Sequence, residues 1–292
     1  MGALFCLGSG VAFGAMAIFG KLAYDEGATV GTLLAVRFTI AALIFWAAGA
    51  GRGLGTLPRR DIAAGLALGT CGYALQAACF FAALEWIDAS LLSLLIYTFP
   101  AMVAAAAIAL GRERVDARKM IALALASSGI VLVVAGAGAG ALDPLGVALG
   151  LSAAVLYSAY ILISEGVAGR VRPHVLAALV CTGAAFALIV GSTLLGMLRL
   201  GELTAAGWGW IACLAVVSTV GAIGLFFAGL TRVGPTNASI LATVEPLVTV
   251  SLAFVVFGET LGPVQLAGGA LVVSAVLALQ IKRVAIPREV TA

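Results

Sequence analysis

The residue that most calls for chemistry in this sequence is Glu245, the one acidic side chain near the middle of a long apolar run. A carboxyl in such surroundings is costly unless it is protonated or faces a partner. Two functional roles suit it: carrying a proton, or contacting the ammonium of a solute. A carboxyl bonded to a neighbouring helix is the plainer alternative. Pro246 follows it directly, and Pro100 holds the same place in an earlier run. Each proline removes a backbone donor and frees the carbonyl four residues before it, at Ile96 and Ala242. Either can act as a hinge or as a fixed bend.

Four tyrosines, Tyr73, Tyr97, Tyr157 and Tyr160, fall well inside apolar runs, with Phe13, Gln76 and Phe80 at similar depth. A buried tyrosine hydroxyl needs a partner, and a cavity would supply one. For each alone, ordinary packing is the simpler role. Together they outline a mostly apolar pocket with a few polar handles, suited to neutral or aromatic solutes. Asn237 and Ser239 begin the ninth run, where they serve either as caps or as solute contacts. Lys21 and Arg37 are read as snorkelling at the outer ends of the first two runs. Glu113 and Glu259 stand just before the fifth and tenth runs, where an acid favours a helix N-terminus.

Other chemistries lack their parts. His174 is the only histidine and lies at a loop edge, with neither an HExxH pair nor a phosphate-binding loop. Cys6, Cys71, Cys79, Cys181 and Cys213 lie in apolar runs with no CxxC pair, as buried, unreactive thiols would. Neither a metal nor a cofactor is expected, and an enzyme is disfavoured. The formal charge of +3 is small and unclustered, which argues against a nucleic-acid partner.

The elements that must position these residues follow from composition. Of 292 residues, 63% are hydrophobic and 10% charged, against about 25% charged in a soluble domain. So few charges cannot cover a water-facing surface, and lipid is the remaining solvent. A membrane helix needs roughly 20 apolar residues. The chain offers ten such runs: 2–24, 30–49, 61–84, 89–110, 118–136, 144–164, 174–197, 206–230, 236–257 and 263–281. They do not alternate apolar with polar residues as barrel strands would. Gly10 and Gly14, Gly65 and Gly69, and Gly146 and Gly150 each put two small residues on one helix face.

Alternating the loops separates the basic residues. One side receives Arg52, Arg59, Arg60, Arg112, Arg114, Arg118, Lys119, Arg170, Arg172, Arg232, Lys282, Arg283 and Arg288; the other receives Lys21 and Arg199. Basic residues favour the cytoplasmic side, so both termini are placed there. Residues 80–113 also align without a gap beneath 226–259, matching Phe80 with Phe226, Ser93 with Ser239, Pro100 with Pro246 and Glu113 with Glu259. The expected fold is an all-α polytopic membrane protein of ten transmembrane helices, arranged as two inverted five-helix repeats. Its units are residues 1–140 and 141–284, with a cytoplasmic tail over 285–292. An odd number of spans per unit makes the second copy enter the membrane from the opposite side. Inverted repeats are a recurrent basis of secondary transporters.

These paired units, with Pro100 before Arg112-Glu113 and Pro246 before Gly258-Glu259, resemble the drug/metabolite transporter superfamily, in particular its ten-helix EamA-type exporters. Residues 10–23 (GVAFGAMAIFGKLA) and 33–38 (LLAVRF) are similar to that family's first two helices. Within it, the chain looks like the YddG-type exporters of aromatic and other neutral amino acids. The resemblance implies ATP-independent efflux across the inner membrane. Its expected partners are a small-molecule substrate and membrane lipid, and a monomer suffices. A cationic-drug exporter and a channel-like facilitator are the competing expectations.

Overall fold

The computed structural model describes residues 1–49, 54–55, 57–136 and 143–280. The expected boundary at 140/141, the tail, and Arg52, Lys282, Arg283 and Arg288 lie outside the described residues. Among the described residues there is no strand, and ten helices are long and apolar enough to cross a membrane. They are α1 (Gly2–Asp25), α2 (Val30–Ala47), α3 (Arg59–Ala83), α4 (Ala89–Ala109) and α5 (Ala117–Ala135). The other five are α6 (Pro144–Ala168), α7 (Pro173–Leu194), α8 (Ala205–Gly234), α9 (Asn237–Phe257) and α10 (Pro263–Gln280). This is the all-α polytopic membrane class that the composition requires.

The ends of these helices have local causes. Thr29, Asp116 and Thr204 each accept a hydrogen bond from a backbone N–H three residues on, and Asp143 caps Leu145 and Gly146 ahead of α6. Such caps satisfy donors that a helix start leaves orphaned. Gly234, at φ +80°, turns the chain between α8 and α9, and Gly258, at φ +70°, ends α9. Neither backbone suits a residue with a Cβ.

The helices pack in a recurring set of pairs: α1 on α8 and α3 on α6, α1 on α9 and α4 on α6, with α2 on α7, α4 on α9 and α5 on α10. Glycines set the closest approaches. A Cβ on Gly14 would lie 2.8 Å from the Glu245 carbonyl oxygen of α9, and one on Gly150 would lie 3.0 Å from Leu92 of α4. Gly69 presses on the Val180 backbone of α7, while Gly129 of α5 and Gly268 of α10 meet backbone to backbone. Besides α1, which is interrupted at Ala15, four spans are irregular, in two pairs. Leu68–Tyr73 in α3 and Val216–Gly221 in α8 are π-helical. Both α4 and α9 break, at Tyr97–Thr98 and at Thr243, just ahead of Pro100 and Pro246.

Loop contacts fall into two groups. At one end, Glu26 meets Thr204, Thr29 meets Met197, and Lys21 meets Asp88 and Glu259. At the other, Arg170 pairs with Asp61 at 2.9 Å and Arg112 with Glu165 at 3.8 Å. These are the two sets of loops into which the basic residues separate. All five cysteines are free; Cys6 and Cys181 are buried, but Cys71 is exposed on the outside of α3, so the expectation of uniformly buried thiols fails there.

Candidate functional site

A cavity of about 720 Å³ lies between the two sets of five helices. The broken helices α4 and α9 line it with their irregular turns, at Ile96, Tyr97, Phe99 and Pro100 on one side and Ala242, Thr243, Glu245 and Pro246 on the other. Because α9 restarts at Val244, Glu245 falls in the first turn of the new segment. The carbonyl released there by Pro246 does not go unpaired. Tyr97 Oη donates to Ala242 O at 2.8 Å and lies 3.3 Å from Glu245 Oε2. One hydroxyl proton serves one acceptor at a time, and the nearer is the carbonyl. Among the described residues, no basic side chain comes within 4.0 Å of the Glu245 carboxylate.

An aromatic wall faces this corner. Phe99 meets Tyr157 edge-on at 4.6 Å and Tyr97 at 6.1 Å, while Tyr73 packs against Phe38 and Tyr160. Edge-to-face contacts of this kind hold rings in fixed orientations. Of the residues expected to line a pocket, Phe13, Tyr73, Gln76, Phe80, Tyr97, Tyr157, Ser239 and Glu245 do so, as do Pro100 and Pro246. Tyr160 stands behind the wall, 5.3 Å from Tyr73 and 6.2 Å from Tyr157. Asn237 lies outside the cavity. It is exposed beyond the Gly234 turn, and its Nδ2 donates to Val233 O at 3.0 Å.

Arg37 departs most from its sequence reading. It does not snorkel: it is 1% exposed and is one of the residues that line the cavity. Nε donates to Thr219 Oγ1 at 2.9 Å, and Nη2 approaches Met16 Sδ at 3.5 Å. The charge rests over the Phe38 and Phe81 rings, at 4.9 and 5.3 Å. The π-helical turn of α8 makes this possible. Thr219 bonds back to Leu214 O, five residues earlier, and presents its oxygen to Arg37. Such bulges often lie at functional sites.

The two ends of the cavity differ. Toward one, its lining includes Arg112, Glu113, Arg118, Lys119 and Glu165, so it opens between charged side chains. At the opposite end, Lys21 Nζ pairs with Glu259 Oε1 at 2.7 Å. The Glu259 carboxylate also accepts Ala89 N–H at 3.1 Å, Ser90 N–H at 2.9 Å and Ser90 Oγ at 2.8 Å. It thus caps α4 rather than α10, the helix that follows it in sequence. Burial works to raise its pKa, but the Lys21 ammonium and the Ser90 donors outweigh that and hold it below the usual carboxylate value. Glu113, its counterpart in the first half, is half-exposed and pairs with Lys119 at 2.9 Å. The cap of α5 is Asp116 instead.

Residues 1–135 and residues 144–280 match the EamA-like transporter family. The chain is also 28% identical, over 203 residues, to an uncharacterized transporter of Archaeoglobus fulgidus, a match covering 70% of this chain and 71% of that one. A crystal structure of another protein superposes with a TM-score of 0.67 over 95% of this chain and 96% of its own, at 19% identity. At that identity the likeness is one of fold.

Proposed function

The chain belongs to the EamA-like transporter family, and from that premise we propose that it is a secondary transporter exporting small neutral and aromatic amino acids, and related metabolites, across the inner membrane. The observation that carries this reading is the asymmetry of the cavity. Its lining reaches the charged residues Arg112, Glu113, Lys119 and Glu165 at one end, and at the other it stops short of the Lys21–Glu259 ion pair. A central site reached from one side only is one state of an alternating-access cycle.

We read the halves as inverted repeats. Each matched segment holds five helices, and exchanging the halves converts the α1–α8 contact into α6–α3 and α1–α9 into α6–α4. The basic residues gather at the open end, which we place in the cytoplasm with both termini. Solute then loads from inside. The bends beside Pro100 and Pro246 are the proposed hinges, and Glu245 either carries a proton or meets the solute ammonium. One copy encloses the whole cavity, so a monomer in lipid suffices, with the solute as its partner and no cofactor.

Purified protein in liposomes tests this reading by counterflow of labelled phenylalanine. Saturation and competition by other neutral amino acids are expected. Flux that rises without saturating would identify a channel-like facilitator. Competition by organic cations alone would favour the second reading, a cationic-compound exporter, to which a Glu245 carboxylate with no basic partner among the described residues lends support.

A further inference from the structure

We propose that Arg37 is the carboxylate anchor of the cavity, so that a zwitterionic solute is held with its carboxylate on Arg37 and its ammonium toward Glu245. This rests on the amino-acid reading above and names which atoms of the solute the cavity recognises. Arg37 is wholly buried, yet among the described residues no acidic side chain lies within 4.0 Å of it. Its neighbours are two hydroxyls, those of Thr219 and Tyr73, a thioether and two ring faces. All of these are neutral. A buried charge without an opposite charge is destabilising in a low dielectric, and an incoming anion relieves it.

The geometry favours a carboxylate in particular. Thr219 holds Nε from the α8 side, which fixes the plane of the guanidinium. Nη2 rests against Met16 Sδ at 3.5 Å, and Met16 itself lines the cavity. A thioether is a weak acceptor, so a carboxylate displaces it and gains charge-assisted, bidentate hydrogen bonds. Glu245 lines the same cavity and, among the described residues, has no ion-pair partner within 4.0 Å. Two opposite charges in one cavity that do not pair with each other match a ligand carrying both. A solute with a positive charge alone would engage Glu245 and leave Arg37 as it is.

The test is competition against phenylalanine counterflow in liposomes, using phenylalanine and phenethylamine, which keeps the ring and amine but lacks the carboxylate. Wild type is expected to prefer phenylalanine by about tenfold or more, since a site built to bond a charged group rejects the analogue lacking it. Arg37→Gln should abolish that preference, weakening phenylalanine by about tenfold while leaving phenethylamine within about twofold. Arg37→Lys, which keeps the charge but not the planar fork, should fall between. Equal loss of both ligands in Arg37→Gln would make Arg37 a packing residue and overturn the proposal. Equal competition by both ligands in wild type would overturn it without any variant, even if Arg37→Gln failed to fold, and would leave the amino-acid reading standing. Transport of amines without any amino acid would sink the amino-acid reading first.

Discussion

Glu245 and Arg37 pose the same physical problem, an ionisable group deep in an apolar protein, but only Glu245 is conspicuous in the sequence. Its depth follows from a count along the ninth run. Replacing it with Gln keeps the shape and removes the proton site. Glu245→Gln is therefore expected to alter the pH dependence of counterflow. An unchanged rate and profile would remove Glu245 from the mechanism. Arg37 escaped because it lies only about seven residues into α2, roughly 10 Å along the axis, where snorkelling is available to a side chain that faces lipid. Facing is decided by the π-helical turn in α8 that delivers Thr219. Nothing in the residues 216–221 announces that turn, since helix periodicity is read on the assumption of a regular spiral. Asn237 was misplaced for the converse reason: the turn at Gly234 carries it to the surface.

Among the elements, the apolar runs, the proline bends and the close glycine contacts were legible, because each depends on composition or short spacing. The partner of Glu259 was not. An acidic residue before a helix is read as that helix's cap, whereas this one reaches across to the first turn of α4 and to Lys21. Its pKa lies below that of the unfolded chain, so its stabilisation is complete above about pH 4.3 and is lost as pH falls through the lower folded value. Thermal unfolding in detergent should show wild type losing stability below about pH 4. Glu259→Gln should start lower at neutral pH and show less of that acid loss; parallel curves would refute the account. Glycine contacts give a sharper contrast. Gly69→Ala drives a Cβ into the Val180 backbone and should cost about 1–3 kcal/mol. Gly191→Ala, with nothing within 4 Å of the added carbon, should be neutral or slightly stabilising. Equal melting temperatures for the two variants would show that α3 and α7 can part without penalty.

For the whole molecule, the proposed inverted arrangement puts residues 112–119 and 258–262 on opposite faces of the membrane. With the native cysteines replaced, Val115→Cys and Thr260→Cys should react with an impermeant maleimide from opposite sides; labelling from one side would collapse the two-fold relation. The same symmetry sets Glu113, half-exposed beside Lys119, against Glu259, locked over α4. The closed end and the open end carry one residue type in two circumstances. The glycine seams bear on how those circumstances could exchange. Gly10 and Gly14 ride on residues 242–248, and Gly146 and Gly150 on residues 86–95, with no Cβ of their own at those contacts. Interlocked side chains resist lateral displacement, because each must climb over its neighbour. A bare helix face has no teeth to clear, so the two seams act as plain bearings, tight across the contact and slippery along it. Adding a single methyl to one of them would roughen that bearing, and the turnover rate would slow before the affinity for solute changed.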